Sequence, residues 1–172
     1  EFIKEPMHDT ELERLQTVSC KMKCWQEYYR KVLDFLEEQD QKESKRKSSS
    51  FHYYHDSVRQ RRVEVMFTHA DQQAAWELAQ GSNLSEDCWL KLAAWRSEEV
   101  PQEAATVVKK LLDDALRYTG EGAYSHVIRL LQIYRKYLQM ANCEAEFSTC
   151  CADIRLKYKR RRLLMEQMNA AK

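Results

Sequence analysis

Turn-forming residues are scarce in this sequence. Among its 172 residues are three glycines, Gly81, Gly120 and Gly122, and two prolines, Pro6 and Pro101. Sandwiches, barrels and α/β sheets need a turn roughly every ten residues, and they place glycine, proline and Asn-Gly pairs there. This chain cannot supply those turns, whereas it is rich in Leu, Glu, Lys, Arg, Gln and Ala, which are good helix formers. The sequence therefore predicts an all-α fold.

Two long apolar patterns in the first half of the chain predict a pair of long helices. The first spans residues 9–42, and its apolar side chains recur at alternating steps of three and four residues. Its members are Leu15, Val18, Met22, Trp25, Tyr29, Val32 and Leu36. The second spans residues 56–80 and ends before Gly81, a residue suited to the position after a helix. We interpret residues 9–80 as a long antiparallel hairpin of the coiled-coil type.

A polar stretch separates these two patterns. Residues 42–50 read KESKRKSSS, which is basic, rich in serine and without apolar periodicity. This composition is typical of a loop that has nothing to bury. We therefore expect a mobile loop near residues 42–55 of the hairpin.

Four further helices are predicted in the second half of the chain, over residues 84–171. Ser85 is a good N-cap for the first of them, and Pro101 fits the first turn of the next. The four predicted spans are 85–99, 101–118, 123–140 and 144–171. Because the connections between them are short, consecutive helices should pack side by side. We expect a four-helix, solenoid-like bundle or stack that continues from the hairpin as one helical unit.

The overall composition favours an intracellular protein. The formal net charge of +1 gives no global attraction to nucleic acid or to membranes. No apolar run is long enough for a transmembrane span or a signal peptide. The six cysteines are irregularly spaced within helical patterns, which is typical of reduced, buried thiols. The opening Glu1–Phe2 does not resemble a natural start, so we expect an internal fragment.

No motif for catalysis, cofactor binding or metal binding is evident. The sequence contains no GxSxG, Gly-rich phosphate loop, HExxH or paired-carboxylate pattern. The best zinc candidates are Cys20 and Cys24, one helical turn apart, with His52 and His55 in the segment HYYH. A C-x₃-C pair on a long helix lacks the turn that most structural zinc sites use. We therefore expect neither an enzyme nor a bound metal or cofactor.

The most specific feature is a basic cluster near the C-terminus. Six of the eight residues at 155–162 are cationic: Arg155, Lys157, Lys159, Arg160, Arg161 and Arg162. On one continuous helix they would cover most of the circumference, where they can neutralise an acidic protein surface or nucleic-acid phosphates. The cluster also resembles a nuclear-import address. The alternative without a partner is a solvated terminal helix with cations near its end.

Trp25 and Tyr29 are further candidates for partner binding, because both are bulky aromatic residues on the seam of a long helix.

Together, the basic cluster, the aromatic seam residues and the lack of catalytic motifs favour a non-catalytic protein-interaction module, such as a scaffold or a subunit of a larger assembly. Its partner would be a protein that offers an acidic or helical segment, and no membrane partner is expected. The alternative is a nucleic-acid-binding helical module that uses residues 155–162. Both fit the cytoplasm or the nucleus, and the basic cluster favours the nucleus slightly.

Overall fold

Helix is the only regular structure in the part of the chain that the computed structural model describes, namely residues 14, 16–18, 24–47, 57–69 and 71–170. No strand occurs among these residues, which confirms the predicted all-α class. Eight helices have both ends within the described residues. They are α1 (Trp25–Lys47), α2 (Ser57–Thr68), α3 (Gln72–Ala79), α4 (Glu86–Arg96), α5 (Pro101–Ala115), α6 (Glu121–Met140), α7 (Glu144–Lys157) and α8 (Arg162–Ala170).

The chain divides into two compact units within α4: unit 1 is Glu1–Cys88 and unit 2 is Trp89–Lys172. The start of α4 is tied to unit 1, because the backbone N–H of Ser85 donates a hydrogen bond to the side-chain oxygen of Gln60 at 2.9 Å. Ser85 also forms the N-cap that the sequence predicted, because its hydroxyl oxygen accepts a hydrogen bond from the backbone N–H of Cys88 at 3.4 Å. The division between the units falls inside α4, between Cys88 and Trp89.

Unit 1 is built around α2, which contacts both α1 and α3. Val32 and Leu36 of α1 are buried together with Val65 of α2. Partly buried apolar side chains complete this cluster: Trp25, Tyr29, Leu33, Phe35 and Val58. The predicted seam therefore buries its C-terminal half within the chain, where removal of apolar area from water stabilises the fold.

The N-terminal part of the predicted first helix differs from the expectation. Cys24 is not helical, so α1 begins at Trp25 and the helix does not run unbroken from residue 9. Val18 was expected on the buried seam, yet its side chain is 54% exposed. The seam residues Leu15 and Met22 lie outside the described residues.

The predicted loop at 42–55 begins later than expected, because α1 continues to Lys47. The charged residues of this stretch are good helix formers, and Lys42 pairs with Glu38 one turn earlier at 2.7 Å. Residues 42–47 are therefore helical, and 48–56 lie outside the described residues.

The predicted second helix is divided into α2 and α3. The break follows Thr68, whose hydroxyl donates to the carbonyl oxygen of Glu64 at 2.8 Å. The backbone N–H of Asp71 then bonds to the carbonyl of Met66 at 3.0 Å, and the carbonyl of Asp71 accepts the first bond of α3. Thr, His and Asp around the break are weak helix formers, so a turn costs little here. Gly81 follows α3 with φ +76°, as predicted for a residue after a helix.

Unit 2 is built around α6, which contacts α5, α7 and α8. Its buried side chains are Tyr124, Val127, Leu130, Leu131, Tyr134, Tyr137 and Leu138. Asn142, two residues after the end of α6, adopts the left-handed conformation with φ +56°. The next backbone N–H, of Cys143, donates to the carbonyl of Leu138 at 2.8 Å and so satisfies a carbonyl at the end of α6.

Candidate partner-binding surface in unit 2

The basic cluster at residues 155–162 does not lie on a continuous helix, which corrects the prediction of one helix over 144–171. Helix α7 ends at Lys157 and α8 begins at Arg162. Between them the chain turns, and the backbone N–H of Arg161 closes the turn on the carbonyl of Tyr158 at 2.8 Å. We call residues 155–162 the basic junction.

Arg161 is committed to the fold of unit 2. Its guanidinium Nη1 donates to the carbonyl oxygen of Leu116 at 2.8 Å and to that of Tyr118 at 3.2 Å. These carbonyls follow the end of α5, where backbone acceptors lack partners within the helix. The guanidinium also lies 4.5 Å from the centre of the Tyr158 ring. Arg161 therefore joins the junction to α5 and contributes little free charge for a partner.

The remaining cations of the junction are directed mostly to solvent. Lys157, Lys159, Arg160 and Arg162 are exposed, and Arg155 is half-buried. None of the five forms an ion pair with any described carboxylate, although Lys157 lies 5.4 Å from the Tyr158 ring centre. Leu156, in the middle of these cations, is 74% exposed. The junction thus combines uncompensated positive charge with an accessible aliphatic side chain.

A groove of about 370 Å³ lies in the same unit and shares Arg155 with the junction. It is formed by α6, α7 and α8. Its lining is Ile128, Leu131, Gln132, Arg135, Phe147, Ser148, Cys151, Arg155 and Met168. This volume lies near the lower end of the range of about 300–1,000 Å³ that is usual for ligand pockets.

Two guanidinium groups border this groove, whose lining is partly apolar and partly polar. Arg135 of α6 lies 5.6 Å from the centre of the Phe147 ring, in a cation–π arrangement. Arg155 of α7 is the second. Neither has a carboxylate partner among the described residues. Both act electrostatically on the Cys151 thiol, although burial raises its pKa by more than the two cations lower it. The groove therefore pairs apolar side chains with positive charge that nothing in the described chain neutralises.

Trp25 and Tyr29, the predicted aromatic candidates, lie in unit 1 and pack around His69. The ring centre of His69 is 4.8 Å from that of Trp25 and 5.7 Å from that of Tyr29. Both aromatic side chains are half-buried. Burial, and to a smaller extent the charge of Asp71, raises the pKa of the Tyr29 hydroxyl. These rings thus have an intramolecular partner within unit 1.

The arginines of α2 have carboxylate partners within unit 1. Arg59 pairs with Asp40 at 2.9 Å and Arg62 with Glu37 at 2.8 Å, and both carboxylates lie on α1. Residues late in α1 therefore meet residues early in α2. These cations have local counter-charges and serve the packing of unit 1.

The zinc candidates are mostly outside the described residues, since Cys20, His52 and His55 all fall there. Among the described residues, Cys24, Cys88, Cys143, Cys150 and Cys151 form no disulfide. Within the described part of the chain, no three His, Cys, Asp or Glu side chains are grouped as metal ligands. The helices described there include none that combines the length and the apolar character needed to cross a membrane.

Comparisons with family models, with curated proteins and with solved structures found no match to this chain. The function must therefore be argued from the side chains themselves.

Proposed function

We propose that this chain is a non-catalytic protein-interaction module and that its unit 2 binds an acidic segment of a partner protein. The observation that carries the proposal is the set of exposed cations Lys159, Arg160 and Arg162, which have no carboxylate partner among the described residues. Exposed charge of one sign attracts and orients an oppositely charged partner. Unit 1 would then be the predicted antiparallel hairpin and unit 2 the predicted stack, both serving as a helical scaffold.

The kind of exposed side chain favours protein over nucleic acid. Leu156 is aliphatic and 74% exposed in the middle of the cations, and an aliphatic side chain offers packing to a protein but no stacking to a base. The Tyr158 ring lies beside the cations of Lys157 and Arg161. Tyr118, which is 69% exposed near Arg161, is the feature that favours the nucleic-acid alternative.

The test is capture of partners from nuclear and cytosolic extracts by the wild-type chain and by a Lys159→Glu/Arg160→Glu/Arg162→Glu variant. Arg161 is left intact because it binds backbone carbonyls of α5. The matched control is Lys91→Glu/Lys110→Glu/Lys136→Glu, which changes the net charge equally at exposed cations outside the junction. We expect one set of proteins to be lost with the junction variant, kept with the control and unaffected by nuclease treatment of the extract.

Direct titration with labelled single-stranded RNA and duplex DNA decides between the two kinds of partner. Binding through phosphates weakens steeply with salt, because bound counterions are released. Tight, salt-sensitive binding of either nucleic acid that disappears in the junction variant would replace our proposal with the nucleic-acid alternative.

A further inference from the structure

We infer that the groove between α6, α7 and α8 receives one large apolar side chain of the acidic partner segment, while Arg135 and Arg155 bind carboxylates flanking that side chain. This inference rests on the proposed function and adds the partner's chemistry: an Asp- or Glu-rich peptide with a Leu, Met, Phe or Trp anchor.

The lining and size of the groove define the anchor. Ile128, Leu131, Phe147 and Met168 present apolar surface, and a space of about 370 Å³ accommodates one or two large side chains but not a whole helix. An apolar side chain entering such a pocket gains from removal of apolar area from water. Anchors of this kind, surrounded by polar contacts, dominate the free energy of many protein interfaces.

The charges around the groove define the residues next to the anchor. Arg135 and Arg155 lie on different helices, α6 and α7, and border the same space. Since neither has a described carboxylate partner, both guanidinium groups remain available for bidentate binding of carboxylates. Two cations beside an apolar space disfavour a basic or purely apolar partner and favour an acidic one.

The experiment selects peptides from a phage-displayed library of random segments of about 12 residues, long enough to present three helical turns. The full chain is the bait. Ser148→Trp fills the groove, because Ser148 is an exposed residue of its lining. Thr149→Trp is the matched control, since the next residue of the helix points about 100° away and lies outside the lining. Circular dichroism and thermal melting establish that both variants fold.

We expect the enriched peptides to share one large apolar residue with Asp or Glu nearby. Ser148→Trp should weaken their binding by about 30-fold, the size typical for loss of a central anchor, and Thr149→Trp by less than about threefold. Arg135→Gln/Arg155→Gln should weaken it similarly, whereas Lys110→Gln/Lys136→Gln should not. This second pair of variants tests the inference without relying on Ser148→Trp.

Three results would overturn the inference. They are an absence of enriched peptides, enriched peptides without acidic residues, and acidic peptides that bind Ser148→Trp and Arg135→Gln/Arg155→Gln as tightly as wild type. In the third case, loss of the same peptides by the Lys159→Glu/Arg160→Glu/Arg162→Glu variant would place the acidic partner at the junction alone. The proposed function would then stand without the groove.

Discussion

At the scale of single residues, His69 couples the stability of unit 1 to pH. Its ring packs against both Trp25 and Tyr29, and neither ring nitrogen has a hydrogen-bond partner among the described residues. Burial disfavours the charged imidazolium and lowers the pKa of His69 below its ordinary value of 6.5. The unfolded chain therefore binds a proton at a higher pH than the folded chain does.

This difference in proton binding predicts a loss of stability in mild acid. The contribution of neutral His69 is fully present above pH 6.5 and is lost as the pH falls through the lower pKa of the folded state. Urea unfolding of wild type and His69→Phe between about pH 7.5 and pH 5 measures it, because the variant cannot titrate at this position. The difference in unfolding free energy should shift against wild type as the pH falls. A difference that is constant with pH would contradict this account.

Arg161 and Arg160 are neighbours in the sequence, but the structure predicts opposite consequences for their replacement. Arg161→Met removes the hydrogen bonds to the carbonyls of Leu116 and Tyr118, each charge-assisted. The free energy of unfolding should fall by about 1.5–3 kcal/mol. Arg160→Met removes an exposed, unpaired cation and should change it by less than about 0.5 kcal/mol. Chemical denaturation of the two variants makes the comparison, and equal effects would refute the role of Arg161.

The sequence predicted the positions of these cations but could not assign their roles. Arg161 bonds to carbonyls more than forty residues earlier, and that contact depends on how α5 and α8 are placed in unit 2. Arg135 was not predicted as a partner-binding candidate because its position also depends on how the helices of unit 2 pack. Its local sequence is an ordinary helical face, and only the approach of α7 brings it to Phe147 and Arg155.

At the scale of helices, the residues that mark the end of α3 and the start of α5 were predicted from the sequence. Gly81 follows α3 in a left-handed conformation, and Pro101 begins α5, as the sequence predicted. The two breaks after Thr68 and Lys157 were missed because apolar residues keep helical spacing on both sides of each turn. Apolar periodicity shows that a segment is helical, but it does not locate a short turn between two helical segments.

The contact between α1 and α2 includes a partly buried ion pair whose contribution to the free energy of unfolding can be measured. Asp40 is 7% exposed and accepts a hydrogen bond from Arg59 Nε at 2.9 Å, so Asp40→Ala leaves a partly buried guanidinium without its partner. We expect a loss of about 1–3 kcal/mol in the free energy of unfolding.

Glu38 is the matched control for Asp40, because it pairs with Lys42 on the exposed side of the same helix. Glu38→Ala should cost less than about 0.5 kcal/mol. A double-mutant cycle with Arg59→Ala isolates the pairwise contribution of Asp40. A coupling free energy near zero would show that this ion pair does not stabilise the contact between the two helices.

At the scale of the whole molecule, the near-zero net charge does not show which individual cations have carboxylate partners. The net charge is +1, yet the cations of α2 have carboxylate partners whereas Lys159, Arg160 and Arg162 have none among the described residues. Positive charge without a described counter-charge is therefore present at the basic junction, although the chain as a whole is almost neutral. Composition alone predicts only weak attraction to acidic partners, and the pairing of individual side chains changes that expectation for unit 2.

The division into two units predicts that unit 2 folds by itself. Leu112 of α5, Leu130 and Leu138 of α6, and Leu164 of α8 are fully buried, so a hydrophobic core exists within residues 89–172. A fragment of residues 82–172 retains this core and the Ser85 N-cap of α4. Circular dichroism should show a helical chain with a cooperative thermal transition. Leu130→Ala should lower the unfolding free energy of the fragment by about 2–5 kcal/mol, as expected for a cavity in a core. A fragment without a cooperative transition would mean that unit 2 depends on unit 1 for its fold.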